Sequence, residues 1–496
     1  MVINFHRRGF ANNSSSTHSI IQMSDKELSE VSDTGDTDFG WQEFKLKDRE
    51  SKAFYLVTML KTQLYEWSDP EYVKDGLVTW LLKEVMSKYV SDAYNLSSYQ
   101  MDLQESTVDH QSVFNFPMVH EDTFFTKENN LETKSVDMDF FHDFVDYIID
   151  DDNIVIFGGN DNADSCEADS YTNNSSDWFK TLIRFMEYGL SITCVKDEDN
   201  WILYDKDKGT ELSVSFKGKV NKVSSVPGLI DLKITDYCEH NCYHCYQGSN
   251  KKGSQADRSN VIGIIDRLKR NGTGTVAIGG GNPLLYPDIV DVVEYASSRM
   301  TTCLTCNTVT TEKEFDILNK VMPYVDSIAV TCNDYYSVVN TVMPFKALKA
   351  IHNHRTSIYM QGILEMFSSE DQLDKYLTAA EAVSISNITL LGYKPVGRAE
   401  GREKKDLTYD WIAVCKKHDI NIGIDADISK RYSSLIAKHN IDKIYLTEEG
   451  NRSMFIDAVK MEAFKDSYSS DNSFHIDSNG WGSNDTILLA YKSFKQ

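Results

Sequence analysis

The chain has 496 residues, enough for two or three domains with ample core, and its 41% hydrophobic and 25% charged content is that of an ordinary globular protein. A formal net charge of −24, from 75 acidic against 51 basic residues, opposes a nucleic-acid substrate, because binding a phosphate backbone is driven by Lys and Arg releasing counterions. No apolar stretch approaches bilayer length, the first residues lack a signal-peptide core, and nine cysteines, an odd number, suit a reducing compartment, so a cytoplasmic protein with no membrane partner is expected.

Residues 1–45 are rich in Ser, Thr, Asp and Asn and read as a disordered tail, since such a segment buries too little apolar surface to offset its ordering entropy. Residues 46–226 read as an α+β domain. Phe54, Val57, Leu60 and Leu64 recur at helical spacing, as do Val78, Leu81, Leu82 and Val85 after the start signal at Ser68–Glu71. Asp137–Ile149 is a third helix and places His142 and Asp146 on one face, a metal pair or, more simply, a hydrogen-bonded surface pair. Asn153–Phe157 reads as a strand that ends in a glycine turn at Gly158–Gly159–Asn160. The alternating runs Leu190–Val195, Trp201–Tyr204 and Leu212–Phe216 form a β-meander. The role of this domain is not legible.

From Pro227 strands alternate with helices, which implies parallel βα units. The apolar run Leu229–Thr235 leads directly into Cys238-Glu239-His240-Asn241-Cys242-Tyr243-His244-Cys245, three thiols in the spacing C-x3-C-x2-C. Three thiolates on one loop can hold three irons of a cubane cluster and leave the fourth open. Zinc bound by the three thiols with His240 or His244 is the competing reading. Further strands are expected at Thr275–Ile278, Thr302–Cys306, Ser327–Thr331, Ser357–Met360 and Asn387–Leu391, with helices at Val261–Leu268, Ile289–Tyr295, Phe315–Val321 and Leu373–Ala382. Six such units fall short of a closed eight-stranded barrel, and in parallel sheets functional residues gather just after the strands. There the unusual residues fall: Gly279-Gly280-Gly281-Asn282, Thr305-Cys306-Asn307, Thr331-Cys332-Asn333, Gln361-Gly362 and Gly392-Tyr393-Lys394-Pro395-Val396-Gly397-Arg398. Cys303 and Cys306 lie three apart on one strand and so point to opposite faces, which favours buried core thiols over an auxiliary metal site.

The cysteine loop resembles the cluster-binding motif of the radical S-adenosylmethionine (radical SAM) enzymes, and the resemblance extends over about residues 228–400. It implies an α/β fold with a partial (β/α)6 barrel over residues 227–439. It also implies a [4Fe–4S] cluster on Cys238, Cys242 and Cys245, with SAM chelated by the open iron. In that family the reduced cluster cleaves SAM to a 5′-deoxyadenosyl radical, which abstracts hydrogen from the substrate, and the electron comes from a donor such as flavodoxin or ferredoxin. His244 stands where relatives place an aromatic residue beside the adenine. Gly279, Gly280, Gly281 and Asn282 resemble the GGE-type motif that holds the SAM amino group, with Asn282 in place of the acidic residue. Asn307, Thr331 and Asn333 correspond to short polar groups facing the ribose and methionine, and Lys394 or Arg398 can neutralise a carboxylate of SAM or of the substrate. Residues 440–496 read as a small β-rich extension, with strands at Ser453–Val459 and Ile487–Tyr491. No cysteine follows Cys415, so the resemblance is to peptide-modifying members without a cysteine-rich C-terminal auxiliary-cluster domain, and none is expected over these residues. The expected substrate is a peptide or protein; a small metabolite or nucleoside, or a zinc- or cluster-bound scaffold with no turnover, are the alternatives.

Overall fold

A computed structural model describes residues 16–30, 39, 44–66, 80–89, 103, 106, 108, 115–118, 136–160, 181–183, 185–186, 192–197, 199–205, 210–217, 225–352, 356–402, 406–439, 444–446, 452–468, 472–477 and 485–495. The chain divides into two compact units, Met1–Val220 and Asn221–Gln496. No helix among the described residues is long and apolar enough to cross a membrane.

In the first unit, β1 (Ser16–Gln22), β2 (Phe44–Leu46) and β3 (Ile154–Asn160) form an antiparallel sheet in the order β1-β3-β2. β1 and the helix α1 (Asp25–Glu30) correct the expectation of a disordered tail over its described part. A polar average conceals the short run Ile20-Ile21-Gln22-Met23, whose Ile20 and Met23 are buried, and strand pairing satisfies backbone groups whatever the side chains. Residues 1–15 lie outside the described residues. Gly158–Asn160 do not turn but continue β3, Gly158 pairing with both His18 and Phe44.

Helix α2 (Arg49–Glu66) packs against α3 (Met138–Asp150), which Asp137 caps by accepting the Phe140 N–H. Phe140, Phe141, Phe144, Val145, Ile148 and Ile149 form the buried stripe of α3. Of the second expected helix, residues 67–79 lie outside the described residues, and Leu81–Lys88 form a π-type turn followed by a 3₁₀ turn. The meander appears as β4 (Ile192–Asp197), β5 (Asn200–Asp205) and β6 (Thr210–Val214). His142 turns from Asp146 to other partners: its Nε2 accepts from Lys88 Nζ at 2.6 Å and its Nδ1 meets Tyr89 Oη at 2.6 Å. That is a hydrogen-bonded cluster rather than a metal pair.

The second unit is built on β7 (Leu229–Thr235), β8 (Thr275–Gly280), β9 (Thr301–Cys306), β10 (Ser327–Thr331), β11 (Ser357–Ile363) and β12 (Asn387–Leu391), parallel and adjacent in chain order. Between them run α4 (Arg258–Arg270), α5 (Ile289–Ser297), α6 (Glu312–Val321), α7 (Val338–His352) and α8 (Glu370–Ala382). The parallel order continues past the six expected strands into β13 (Asn421–Ile424) and β14 (Ile444–Leu446). Neither edge pairs with the other among the described residues, so the sheet is an open, partial barrel.

The C-terminal strands join the main sheet itself. β15 (Ser453–Asp457) runs parallel to β7 on that strand's free side and is followed by β16 (Glu462–Phe464) and β17 (Phe474–His475). Ile487–Tyr491, expected as a strand, lies in the helix α9 (Thr486–Ser493). Asp485 caps it by accepting the Ile487 N–H, and the buried Ile487, Ala490 and Tyr491 have the i, i+3, i+4 spacing that a five-residue apolar run conceals. Asp485 also takes a two-pronged bond from the buried Arg267 of α4, Nε to Oδ2 at 3.0 Å and Nη2 to Oδ1 at 2.6 Å.

Two lysines of α2 are buried with carbonyl partners. Lys52 Nζ donates to Ile148 O, Asp151 O and Ile154 O, and Lys61 Nζ donates to Leu103 O and Ser106 O. Burial brings both down to about 8. Between pH 8 and 10 the unfolded chain therefore holds more lysine protons than the folded one, and this contribution to stability rises with pH; below pH 8 it is flat. Buried thiols such as Cys306 and Cys415, pushed up by burial, drive the total the other way. Melting temperatures of wild type and of Lys52→Met/Lys61→Met at pH 8, 9 and 10 separate the two. The difference should move in favour of the wild type as pH rises, and a pH-independent difference would contradict the assignment.

Candidate active site

The loop after β7 is held at its base by the protein's own hydrogen bonds. Tyr237 N donates to Thr235 Oγ1 at 3.0 Å, Asp236 N to Ser254 O at 2.8 Å, Cys238 N to Asn250 O at 3.1 Å and Asn250 N to Asp236 O at 3.1 Å. Inside it, Cys245 N donates to Cys242 O at 3.2 Å and Gly248 N to Cys245 O at 3.2 Å. Asn241 takes the left-handed conformation, φ 50°, that asparagine tolerates, which turns the chain between the first two cysteines. Cys238 is buried, Cys242 and Cys245 are half-buried, and all three line one cavity of about 310 Å³ at the C-terminal strand ends. Burial pushes the Cys238 and Cys242 thiols up; at both, the Arg398 charge opposes the rise.

The glycines at the end of β8 sit directly against this loop. Gly281 N donates to Thr235 O at 2.7 Å and Asn282 N to Tyr237 O at 2.8 Å. A Cβ on Gly281 would lie 2.2 Å from Tyr237 O, and one on Gly280, whose φ is +134°, 2.4 Å from Thr235 O. Gly279 differs: its Cβ would meet only Thr305 Cβ, at 3.8 Å, so the space beside it belongs to the cavity.

Asn282 departs from the expected orientation. It is 1% exposed, does not line the cavity, and its Nδ2 donates to Glu314 Oε1 at 2.6 Å. A buried amide takes the nearest strong acceptor. Glu314 is the third residue of α6 and forms a capping box with Thr311, while its Oε2 also accepts the Thr310 N–H at 2.9 Å. Burial alone would raise its carboxyl; the bonds from Thr310, Asn282 and Thr311 outweigh it and hold the group below the usual range.

His244, Gly279, Gly280, Gly281, Asn307, Thr331, Asn333, Lys394 and Arg398 all line the cavity. Asn333 Oδ1 accepts the Ile363 N–H at 2.8 Å, which turns its Nδ2 toward His244 Nε2 at 3.1 Å. The ring proton of a neutral His244 is thereby assigned to Nδ1, a buried atom with no partner among the described residues. Burial, with Arg398 nearby, lowers the basicity of this ring. Thr331 Oγ1 accepts from Gln361 Nε2 at 2.7 Å, and Asn307 Nδ2 reaches Gly281 O at 3.5 Å. Lys394 pairs with Asp425 at 2.9 Å and lies 3.9 Å from the centre of the Tyr468 ring. Arg398 Nε and Nη1 donate to carbonyls of the cysteine loop. Cys306 lies in the apolar core and Cys303 on the other face of β9, where Ser327 Oγ donates to its sulfur at 3.0 Å.

Sequence reasoning missed Lys233 and Asp457. Lys233, buried in the cavity wall on β7, pairs with Asp236 and, at 2.9 Å, with Asp457 at the end of β15. Burial would lower its ammonium, but the two carboxylates outweigh this and raise it. The charged Asp231 and Lys233, alternating within an apolar strand, were the available signal.

Among the described residues no three His, Cys, Asp or Glu side chains converge tightly enough to hold a single metal ion. The cavity lining brings together an all-sulfur donor set on the cysteine loop, open space beside Gly279, and the unpartnered atoms His244 Nδ1 and Arg398 Nη2. That set fits an iron–sulfur cluster with a polar organic ligand beside it.

Residues 232–366 match the profile of the Radical SAM superfamily. The mycofactocin maturase MftC of Mycolicibacterium smegmatis is 23% identical over 204 residues, 38% of this chain and 52% of that protein, so the chain spans about half the length of this curated relative. Among solved structures, Streptococcus suis SuiB bound to S-adenosylmethionine is similar with a TM-score of 0.40 and 13% identity, over 55% of this chain and 81% of that one. Methylornithine synthase (PylB) is similar with a TM-score of 0.34 and 12% identity, over 45% and 72%.

The glycines give a direct contrast in stability. Gly281→Ala forces a carbon against backbone and should cost about 1–3 kcal/mol, whereas Gly279→Ala should stay within about 0.5 kcal/mol of wild type. Thermal unfolding of the two variants checks this, and equal losses would contradict the assignment of Gly279 to the cavity.

Proposed function

From a chain whose residues 232–366 are a radical SAM domain, we propose an enzyme that cleaves S-adenosylmethionine reductively and abstracts hydrogen from a peptide or protein substrate. The observation that carries the proposal is the meeting of Cys238, Cys242 and Cys245 with the Gly279–Gly281 ridge and the polar ends of β9, β10 and β11 around one cavity. When bound, a [4Fe–4S] cluster would supply the electron that splits SAM, drawn from a donor such as flavodoxin or ferredoxin. The three thiolates would hold it.

The remaining roles belong to side chains and backbone. Gly279 leaves room for the ligand, and the inward strand-end groups Thr331, Asn333 and Asn307 offer polar contacts to a ribose or amino-acid moiety. The neutral His244 presents an N–H donor and an aromatic face. Asn282, turned to Glu314, acts behind the ridge rather than on the ligand. Lys394, ion-paired with Asp425 in the cavity lining, keeps further N–H donors for a carboxylate. The choice of a peptide or protein substrate is supported by the relative that is named a maturase.

Iron, sulfide and zinc contents after anaerobic purification test the site first. About four irons and four sulfides per chain are expected, with loss in Cys242→Ala, and dithionite with SAM should then yield 5′-deoxyadenosine. Stoichiometric zinc without sulfide, or a cluster that leaves SAM intact, would overturn the proposal and leave a metal-bound scaffold.

A further inference from the structure

We propose that Arg398 is a positioning residue of the cysteine loop, gripping its carbonyl face and fixing a positive charge beside the cluster so that the cluster is easier to reduce. This rests on the radical SAM reading of the site, since it concerns the group that the loop would hold.

The grip is made of backbone acceptors. Arg398 N donates to Cys245 O at 3.0 Å, Nε to Cys242 O at 2.9 Å, and Nη1 to Ser249 O at 2.6 Å and Gly248 O at 3.4 Å. Two of the carbonyls so held belong to the second and third cysteines themselves. Gly397, with φ +62°, makes the approach possible, because a Cβ there would lie 2.2 Å from Tyr246 O. The segment after β12 is thus seated on the loop after β7, 156 residues earlier in the chain. A planar guanidinium can serve several carbonyls from one fixed plane; a single ammonium cannot reproduce that fork.

The same side chain supplies charge. Nη2 is buried and finds no partner among the described residues, and Arg398 lines the cavity with the three thiols. Three thiolates around a cluster carry net negative charge, and every added electron increases it. A fixed cation in a half-buried site favours the more negative state, and net charge and nearby donors are among the determinants of cluster potential. Arg398 therefore favours the reduced form, the one the proposed reaction needs.

The test uses the reconstituted full chain and four proteins: wild type, Arg398→Gln, Arg398→Lys and Arg402→Gln. Arg402, four positions on and set over the Tyr243 ring at 5.2 Å, controls for loss of any nearby positive charge. Iron and sulfide are counted, the midpoint potential is read by redox titration with electron paramagnetic resonance, and release of iron to a chelator is timed. Arg398→Gln should have a more negative potential and release iron at least about tenfold faster, a change equivalent to about 1.4 kcal/mol. Arg398→Lys should recover part of the potential while iron release stays fast, and Arg402→Gln should match wild type in both. Cluster loss in Arg398→Gln with native circular dichroism and retention in Arg398→Lys also supports the proposal. Potentials and release rates unchanged in Arg398→Gln, or shifted equally in Arg402→Gln, would overturn it. A wild type without iron and sulfide would instead overturn the radical SAM reading on which it rests.

Discussion

The contact on which the site depends is backbone against backbone: Gly281 and Asn282 give their N–H groups to the carbonyls of Thr235 and Tyr237. Through it the end of β8 fixes the start of the cysteine loop without using a side chain. Such bonds are worth about 1 kcal/mol each net, but their geometry is severe, since any Cβ on Gly281 would occupy the Tyr237 carbonyl. The loop therefore enters with its direction set. From the other side, Arg398 holds its exit through the carbonyls of Cys242, Cys245 and Ser249. Between these two clamps the three thiols face one cavity, and the side chains around it serve ligand and support separately. Asn282 and Glu314 tie the ridge to α6, whereas Gly279, His244 and Lys394 face inward.

Charge is arranged by the same division. Lys233 is enclosed by Asp236 and Asp457, so the cation in the wall of the first strand is neutralised and holds β15 in register. Arg267 is likewise neutralised by Asp485, which fastens α9 to α4. Breaking either pair would leave an uncompensated buried charge, which is costlier than the pair is stabilising. The two salt bridges make the last part of the chain a component of the barrel.

How far the sequence could be read follows from what each element depends on. β7 to β12 are legible because strands covered on both faces are apolar runs, and the helices between them keep their period. The cysteines, the glycines and the polar strand ends follow from that frame. β15 is not legible as a parallel strand, because nothing in Ser453–Asp457 says that it will pair with Leu229–Lys233; that pairing is a tertiary choice. α9 is too short for its period to outweigh a run of apolar residues. The orientation of Asn282 depends on Glu314, 32 positions away, and so on the fold being already known. β1 shows the opposite failure, a composition average overruling the short apolar signal Ile20-Ile21.

Lys233 and Asp457 are 224 positions apart, and this separation orders events at the ribosome. At synthesis rates of about 5–20 residues per second, the strand that carries the cysteine loop emerges roughly 10–45 s before the strand that covers its other edge. The loop's own bonds, and those from Gly281 and Asn282, need only the next few dozen residues, so the thiols are gathered early. Throughout that interval the β7 edge is an unpaired strand and Lys233 a cation short of its second carboxylate. During that interval the barrel is open-sided at β7, and the arrival of β15 closes over a loop whose base bonds are already within reach.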